Sequence, residues 1–190
     1  MCIRDSTSDA ELGLAFDGDG DRLGVVTQEG EIIYPDRLLM LLSEDVLSRC
    51  PGGVVVYDIK CTRLLAPWIK NKGGQPVLSR TGHSYIKGAM QREKALIAGE
   101  MSGHLFFSER WFGFDDGLYA GARILEILSK SQDISKRLHA LPQLQSTPEI
   151  TLTLKEEGRN HEIIKQLQKN PNFPGAENII TLDGLRVCLL

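Results

Sequence analysis

The sequence predicts an α/β fold of βαβ units around a parallel sheet, followed by a smaller, more polar C-terminal segment. Two observations carry this. Val54 to Tyr57, Pro76 to Ser79 and Leu96 to Ala98 are short runs that are almost wholly apolar, and helix-like stretches, Thr62 to Lys72 and Ser84 to Glu93, separate them. Strands without a polar face need cover on both sides, and alternating helices supply it. The length of 190 residues, 42% hydrophobic, suits one large domain or two small ones with a true core.

Taken in order, Leu12 to Phe16 reads as a strand, Asp17-Gly18-Asp19-Gly20-Asp21-Arg22 as a polar loop and Leu23 to Thr27 as a second strand closed by a Gln28-Glu29-Gly30-Glu31 turn. Pro35-Asp36-Arg37 then opens a helix whose apolar stripe is Leu39, Leu42 and Val46 and which stops at Pro51-Gly52-Gly53. Pro67 blurs the limits of the Thr62 to Lys72 helix. Asp115-Asp116 place negative charge at the positive end of a longer helix marked by Leu118, Ala122 and Leu125 and running to about Ser129. After Lys130 the chain turns rich in Ser, Gln, Lys and Pro, and Leu141-Pro142-Gln143 with Thr147-Pro148-Glu149 reads as a linker. Beyond it come an alternating run, Ile150 to Leu154, a polar helix from about Arg159 to Lys169, and an apolar run, Asn178 to Leu182.

Charge and composition exclude several functions. Lys and Arg number 22 against 25 Asp and Glu, a net charge of −3, too balanced for general attraction to nucleic acid or anionic membrane. No run approaches the ~20 apolar residues of a membrane span, and Met1 to Ser6 lacks the apolar stretch of a signal peptide. Cys2, Cys50, Cys61 and Cys188 form no C-x-x-C pair, which argues against a disulfide framework or zinc site and suits a cytoplasmic protein.

The strongest chemical feature is the loop in which Asp17, Asp19 and Asp21 alternate with glycines directly after a strand. Three carboxylates at this spacing can close around one hard divalent cation, and the glycines permit the turn; the plain alternative is a solvated acidic turn. A calcium EF-hand needs Gly at loop position six and Glu at twelve, where this chain has Arg22 and Gln28, and its flanks should be helices. Arg22 beside a cation site points instead to a second anion, such as phosphate.

In open α/β sheets, ligands bind beyond the carboxyl ends of the strands. Three polar clusters fall at such ends and should share one rim: Asp58 to Thr62, Arg80 to His83, and Glu100-Met101-Ser102-Gly103-His104. Individually, Lys60 could be a solvated lysine, His83 and His104 helix caps or backbone-satisfied rings, and Glu100 and Ser102 a polar turn. Arg110, Trp111, Phe112 and Phe114 read as core packing rather than rim. His139 and His161 receive no function. Together, a cation loop and fixed positive charges are what phosphoryl transfer requires. Nucleotide-binding glycine motifs are absent, so the phosphoryl donor is not expected to be a nucleotide.

The Asp17 to Arg22 loop, Asp58-Ile59-Lys60-Cys61-Thr62, Thr81-Gly82-His83-Ser84 and above all Gly99-Glu100-Met101-Ser102-Gly103-His104 resemble the α-D-phosphohexomutases, in particular the bacterial phosphomannomutase/phosphoglucomutase branch. The likeness runs from about Leu12 to Ser129 and more faintly to Val187. It implies a mixed, largely parallel sheet flanked by helices, plus the truncated start of an α+β C-terminal domain. The implied limits are 1–30 for the end of domain 2 with the metal loop, 31–142 for domain 3 and 143–190 for an incomplete domain 4.

The activity implied is a reversible shift of phosphate between C1 and C6 of a hexose phosphate through a phosphoserine and a hexose 1,6-bisphosphate. By the same resemblance Asp17, Asp19 and Asp21 bind Mg²⁺, and Arg22 stands beside the phosphoryl site. Glu100 and Ser102 meet sugar hydroxyls, while Lys60, His83 and His104 line the cleft; proton transfer falls to His104 or Lys60. The expected partners are a small phosphosugar and the remaining domains of the same enzyme, with neither nucleic acid nor membrane. The family's serine loop, T-A-S-H-N-P, does not occur in these residues. Met1 to Ser6 resembles nothing in the family, and Cys188-Leu189-Leu190 stands where polar sequence is expected. Two rival readings are a phosphoglucosamine mutase fragment, which Met101 disfavours, and a non-catalytic module for sugar phosphate or divalent metal.

Overall fold

The computed structural model describes residues 9–145, 147, 149–154, 158–169 and 171–189. Met1 to Ser6, with Cys2, as well as Pro148 of the expected linker and Leu190, lie outside them. The chain forms two compact units that part between Leu144 and Gln145.

In the first unit, β1 (Leu12–Phe16), β2 (Leu23–Thr27) and β3 (Ile32–Ile33) make an antiparallel meander. Phe16 pairs with Leu23, so Asp17 to Arg22 is the connection of a hairpin and its direction is set by the strands it joins. Then follow α1 (Pro35–Arg49), β4 (Val54–Asp58), α2 (Leu65–Asn71), β5 (Gln75–Ser79), α3 (His83–Glu93), β6 (Ile97–Gly99), β7 (Leu105–Phe107), α4 (Gly117–Leu128) and α5 (Ile134–His139). The second sheet has strand order β5-β4-β6-β7. β4 is parallel to β5 and β6, and β7 turns back antiparallel on β6. This is the mixed, largely parallel sheet expected.

Alternation along these strands divides the core. Val55, Tyr57, Ile97, Leu105 and Phe107 face one side with Leu39, Leu42 and Leu65, while Val56, Ala98 and Phe106 face the other with Ile86, Ala89 and Met90 of α3. Helix α1 carries more than the single stripe its sequence suggests: Leu38 to Leu42, Ser43, Val46 and Leu47 are all buried, because α2, α4 and β6 close on it from several sides. Pro67 is tolerated in α2 because it lies in the first turn, where backbone N–H groups lack helical acceptors anyway.

Three departures from expectation have physical causes. The stretch after Lys130, which the sequence marked only as a shift to polar composition ahead of the linker, contains α5, capped by Asp133, whose side chain accepts the Lys136 N–H at 2.8 Å, with Leu138 fully buried. Phe112 and Phe114 are not core: Phe112 is 81% exposed, and the two rings stack on each other on a surface loop. Ile150 to Leu154 forms no strand among the described residues, and Ile150 and Leu152 are exposed; alternation specifies a strand only where a neighbouring edge receives it. The second unit contains α6 (Arg159–Lys169) and the antiparallel pair β8 (Ala176–Ile180) and β9 (Arg186–Leu189). Among the described residues no helix is long and apolar enough to cross a membrane.

Candidate functional site

The hairpin loop and the carboxyl ends of the parallel strands come together. At the start of β2, Leu23 N–H donates to the Gly103 carbonyl at 3.2 Å, and Arg22 and His104 form an isolated antiparallel bridge. Two loops 82 residues apart in sequence are thereby fixed by main-chain geometry before any side chain acts.

Asp17, Asp19 and Asp21 each bring a carboxylate oxygen within 4.8 Å of the others. Gly20 has φ of 77°, the left-handed conformation that lets this loop curl without strain, and its N–H donates to the Asp17 carbonyl. One oxygen of Asp21, Oδ1, is buried with no hydrogen-bond partner among the described residues and with Arg22 Nε only as near as 3.9 Å, the kind of acceptor that a cation satisfies. The donor set is all carboxylate oxygen, suited to a hard divalent ion. Arg22 donates its backbone N–H to Asp17 at 3.2 Å and brings Nε to 3.3 Å from the same carboxylate. Partial desolvation alone would raise the Asp17 pKa, but the Arg22 backbone bond and guanidinium charge outweigh it and hold the carboxyl below its usual range, ionised and ready for a cation.

Helix α4 supports this loop from below. Gly117, its first residue, is buried and donates its N–H to the Gly20 carbonyl at 3.1 Å, while Asp116 caps the helix by accepting from Tyr119 N–H at 2.9 Å. A Cβ at Gly117 would lie 2.7 Å from the carbonyl oxygens of both Gly20 and Arg22. Gly117→Ala is therefore expected to push the Asp loop off the helix. It should destabilise the unit by about 1–3 kcal/mol and weaken cation binding, read by thermal melting and Mn²⁺ titration.

His104, 8% exposed, lies at the centre. Its Nε2 is 3.3 Å from Asp21 Oδ2 and accepts from Arg22 Nε at 3.3 Å; its Nδ1 is 3.2 Å from Glu100 Oε2 and 2.9 Å from Ser102 Oγ. With the proton on Nδ1 the ring donates toward Glu100 and accepts from Arg22, and the Asp21 carboxylate facing Nε2 is then left for another donor or a cation. Glu100 is almost fully buried, and its Oε1 accepts the Gly82 N–H at 2.6 Å, which ties the turn before α3 to this loop. Each Glu100 oxygen so engaged keeps a second lone pair for a ligand hydroxyl.

His83, exposed at the first position of α3, has its ring 6.4 Å from that of His104. Ser102 is exposed at the mouth. Lys60 is exposed in the β4–α2 turn, between Asp58, fully buried, and Cys61, 1% exposed. The structure thus gathers Asp17, Asp19, Asp21, Arg22, Glu100, Ser102 and His104 into one connected cluster, with His83 beside it and Lys60 on an adjoining loop.

Several supporting residues gave weaker signals in the sequence. Asp115 is within 4.8 Å of ligand atoms of both Asp21 and His104, and its carboxyl binds Lys87 Nζ at 2.9 Å. Burial would raise the Asp115 pKa, but the bond to Lys87 prevails and lowers it. A glycine directly after a capping Asp, as at Gly117, is the one sequence sign that the start of α4 approaches another backbone.

Comparison with known proteins agrees with this architecture. The family described as phosphoglucomutase/phosphomannomutase, alpha/beta/alpha domain III, matches residues 34–144. A phosphoglucomutase from Neisseria gonorrhoeae is 63% identical over 179 residues, covering 94% of this chain and 39% of its own. A phosphomannomutase/phosphoglucomutase from Pseudomonas aeruginosa is 58% identical over 179 residues, with 94% and 38% covered. The crystal structure of a phosphoglucomutase/phosphomannomutase family protein from Burkholderia thailandensis superposes with a TM-score of 0.92 at 54% identity, over 98% of this chain and 39% of that one. The chain spans about two fifths of the length of these relatives. With its own sheet order, its hairpin loop and a family match over more than half its length, the chain belongs to the phosphoglucomutase/phosphomannomutase family.

Proposed function

We propose that these residues are the sugar-recognition and metal-binding portion of a Mg²⁺-dependent phosphohexomutase that interconverts hexose 1-phosphate and hexose 6-phosphate. The phosphoryl group passes through a phosphoserine on another segment of the enzyme and through a hexose 1,6-bisphosphate. The observation that carries the reading is the Arg22–His104 bridge, which puts the carboxylate loop and the sugar-recognition loop in one site. The names of the Neisseria and Pseudomonas relatives support glucose and mannose phosphates as substrates. Residues 1–30 correspond to the end of domain 2, 31–142 to domain 3 and 143–190 to part of domain 4. The enzyme's other domains complete the site, and cysteines scattered without a C-x-x-C pair support a cytoplasmic location.

In this reading Asp17, Asp19 and Asp21 hold Mg²⁺. The ion, when bound, neutralises charge on the transferring phosphoryl oxygens. Arg22 turns from its carboxylate partners toward phosphate, for which its planar fork is suited. Glu100 and Ser102 accept and orient ring hydroxyls. Lys60 and His83 add positive charge along the rim. His104, held between Glu100, Ser102 and Arg22, is placed to pass a proton to or from a sugar hydroxyl, with Lys60 the other group for that task.

Joined to a segment bearing the serine loop, the chain is expected to convert glucose 1-phosphate to glucose 6-phosphate in a dehydrogenase-coupled assay, while the 190 residues alone do not. Turnover by the 190 residues alone would place the nucleophile among them and overturn the reading.

A further inference from the structure

Asp58 ends β4, paired with Ser79 of β5, and its side chain is fully buried. Its partners come from three different loops. Oδ1 accepts the Met101 N–H at 3.2 Å and the Cys61 thiol at 3.0 Å, and Oδ2 accepts the Thr81 hydroxyl at 3.1 Å. One carboxylate therefore fastens together the turn carrying Lys60, the turn carrying His83 and the recognition loop carrying Glu100, Ser102 and His104. Burial together with the Asp58 charge pushes the Cys61 thiol well above its usual pKa, so it remains a protonated donor. Asp36 of α1 completes the support by accepting the Thr62 N–H at 2.9 Å.

The need for a carboxylate here is not one of solubility or charge pairing at a surface. The Asp58 partners described are donors, and a main-chain N–H at Met101 cannot reverse its direction, whereas a hydroxyl or thiol can. A buried acceptor is the group that can hold this N–H in place. Met101 N–H lies within the turn that Glu100 N–H and the His104 carbonyl close at 3.0 Å, so its anchor sets the height of Glu100 and Ser102 above the sheet.

We infer that Asp58 is a positioning residue for phosphosugar recognition, fixing the recognition loop relative to the two cationic turns. It acts through these loops rather than by touching the substrate. This rests on the proposed function of the site and extends it to a residue outside the cleft.

The test compares hexose-phosphate and metal binding in the 190-residue chain, by NMR titration with glucose 1-phosphate and separately with Mg²⁺. Asp58→Ala should weaken glucose 1-phosphate binding about tenfold and speed hydrogen exchange at the Met101 amide, with Mg²⁺ affinity unchanged. Asp58→Asn should restore most of the binding, since its Oδ1 can accept from Met101 and its amide can donate to the Thr81 oxygen. Thr81→Val removes the hydroxyl's bond to Asp58 at a half-buried turn and keeps the core intact; it should weaken sugar-phosphate binding about fivefold. Equal losses of sugar-phosphate and Mg²⁺ affinity, or binding unchanged in both Asp58→Ala and Thr81→Val, would overturn the inference. Failure of the unaltered chain to bind glucose 1-phosphate would overturn the proposed function itself, and this inference with it.

Discussion

Replacing Arg123 with methionine is expected to lower the stability of the α/β unit by about 3 kcal/mol, the low end for breaking a buried ion pair. The Arg123 side chain is 2% exposed and bonds Asp45 of α1 at 3.0 Å and Glu109 after β7 at 3.0 Å, joining α4 to both. It also lies over the Phe107 ring, 5.0 Å from its centroid. Methionine keeps much of that packing but leaves two carboxylates, 12% and 10% exposed, short of a partner. Arg49 remains with both, at 2.8 and 3.1 Å, which keeps the loss from being larger. The more exposed Arg49, changed to alanine, should cost about 1 kcal/mol or less. Urea unfolding followed by circular dichroism reads the difference.

The same network fixes an acid dependence. Burial would raise the Asp45 pKa, but the hydrogen bonds and charges of Arg49 and Arg123 bring it below its ordinary value of 3.8. A depressed folded pKa contributes stability that is complete above the ordinary value and is lost as pH falls through the folded one. Arg123→Met should therefore flatten the fall of stability with pH below about 4.

Replacing Asp19 with alanine is expected to remove measurable Mg²⁺ affinity while leaving the fold intact. Asp19 is exposed at the loop tip and its residue neighbours are glycines, so little packing is lost. Three carboxylates within 4.8 Å repel one another, and one hard cation offsets that repulsion while supplying a ligand to the orphaned Asp21 Oδ1. Two carboxylates beside an arginine that already pairs with them do not compete well with water for Mg²⁺, which dehydrates reluctantly. Calorimetric titration reads this loss, and an unchanged melting temperature in the absence of metal shows that the loop is not a structural staple.

What could be read from the sequence was whatever depends on neighbours along the chain. Val54 to Tyr57 announces a covered strand by composition alone, and Pro35 with Gly52 and Gly53 brackets α1 because caps are local. The Asp17 to Arg22 loop stood out for the same reason: its ligands are two residues apart. Contacts between distant residues were not legible. Asp45 and Arg123 lie 78 positions apart, and nothing near either marks it as half of a buried pair. Helix α5 is short and carries few apolar residues, so its composition announced no element although Arg37 of α1 donates to the Leu138 carbonyl at its end. Phe112 and Phe114 misled in the opposite direction, since two aromatics near a strand suggest core whether or not a cavity receives them. Asp58 was visible as a polar residue at a strand end, but its three loop partners became apparent only through the fold.

In the proposed reading the carboxylate loop and the recognition loop form one metal-dependent phosphosugar site. Its most direct measurement is paramagnetic broadening by Mn²⁺, added at low ratio to the ¹⁵N-labelled chain, together with the ³¹P signal of glucose 1-phosphate. Broadening should centre on Asp17 to Arg22 and reach Gly103, His104 and Gly117, the ³¹P line should broaden in the presence of the chain beyond the effect of free Mn²⁺, and Asp19→Ala should abolish both effects. Broadening centred elsewhere, or a ³¹P line that the chain leaves unaffected, would contradict a single shared site.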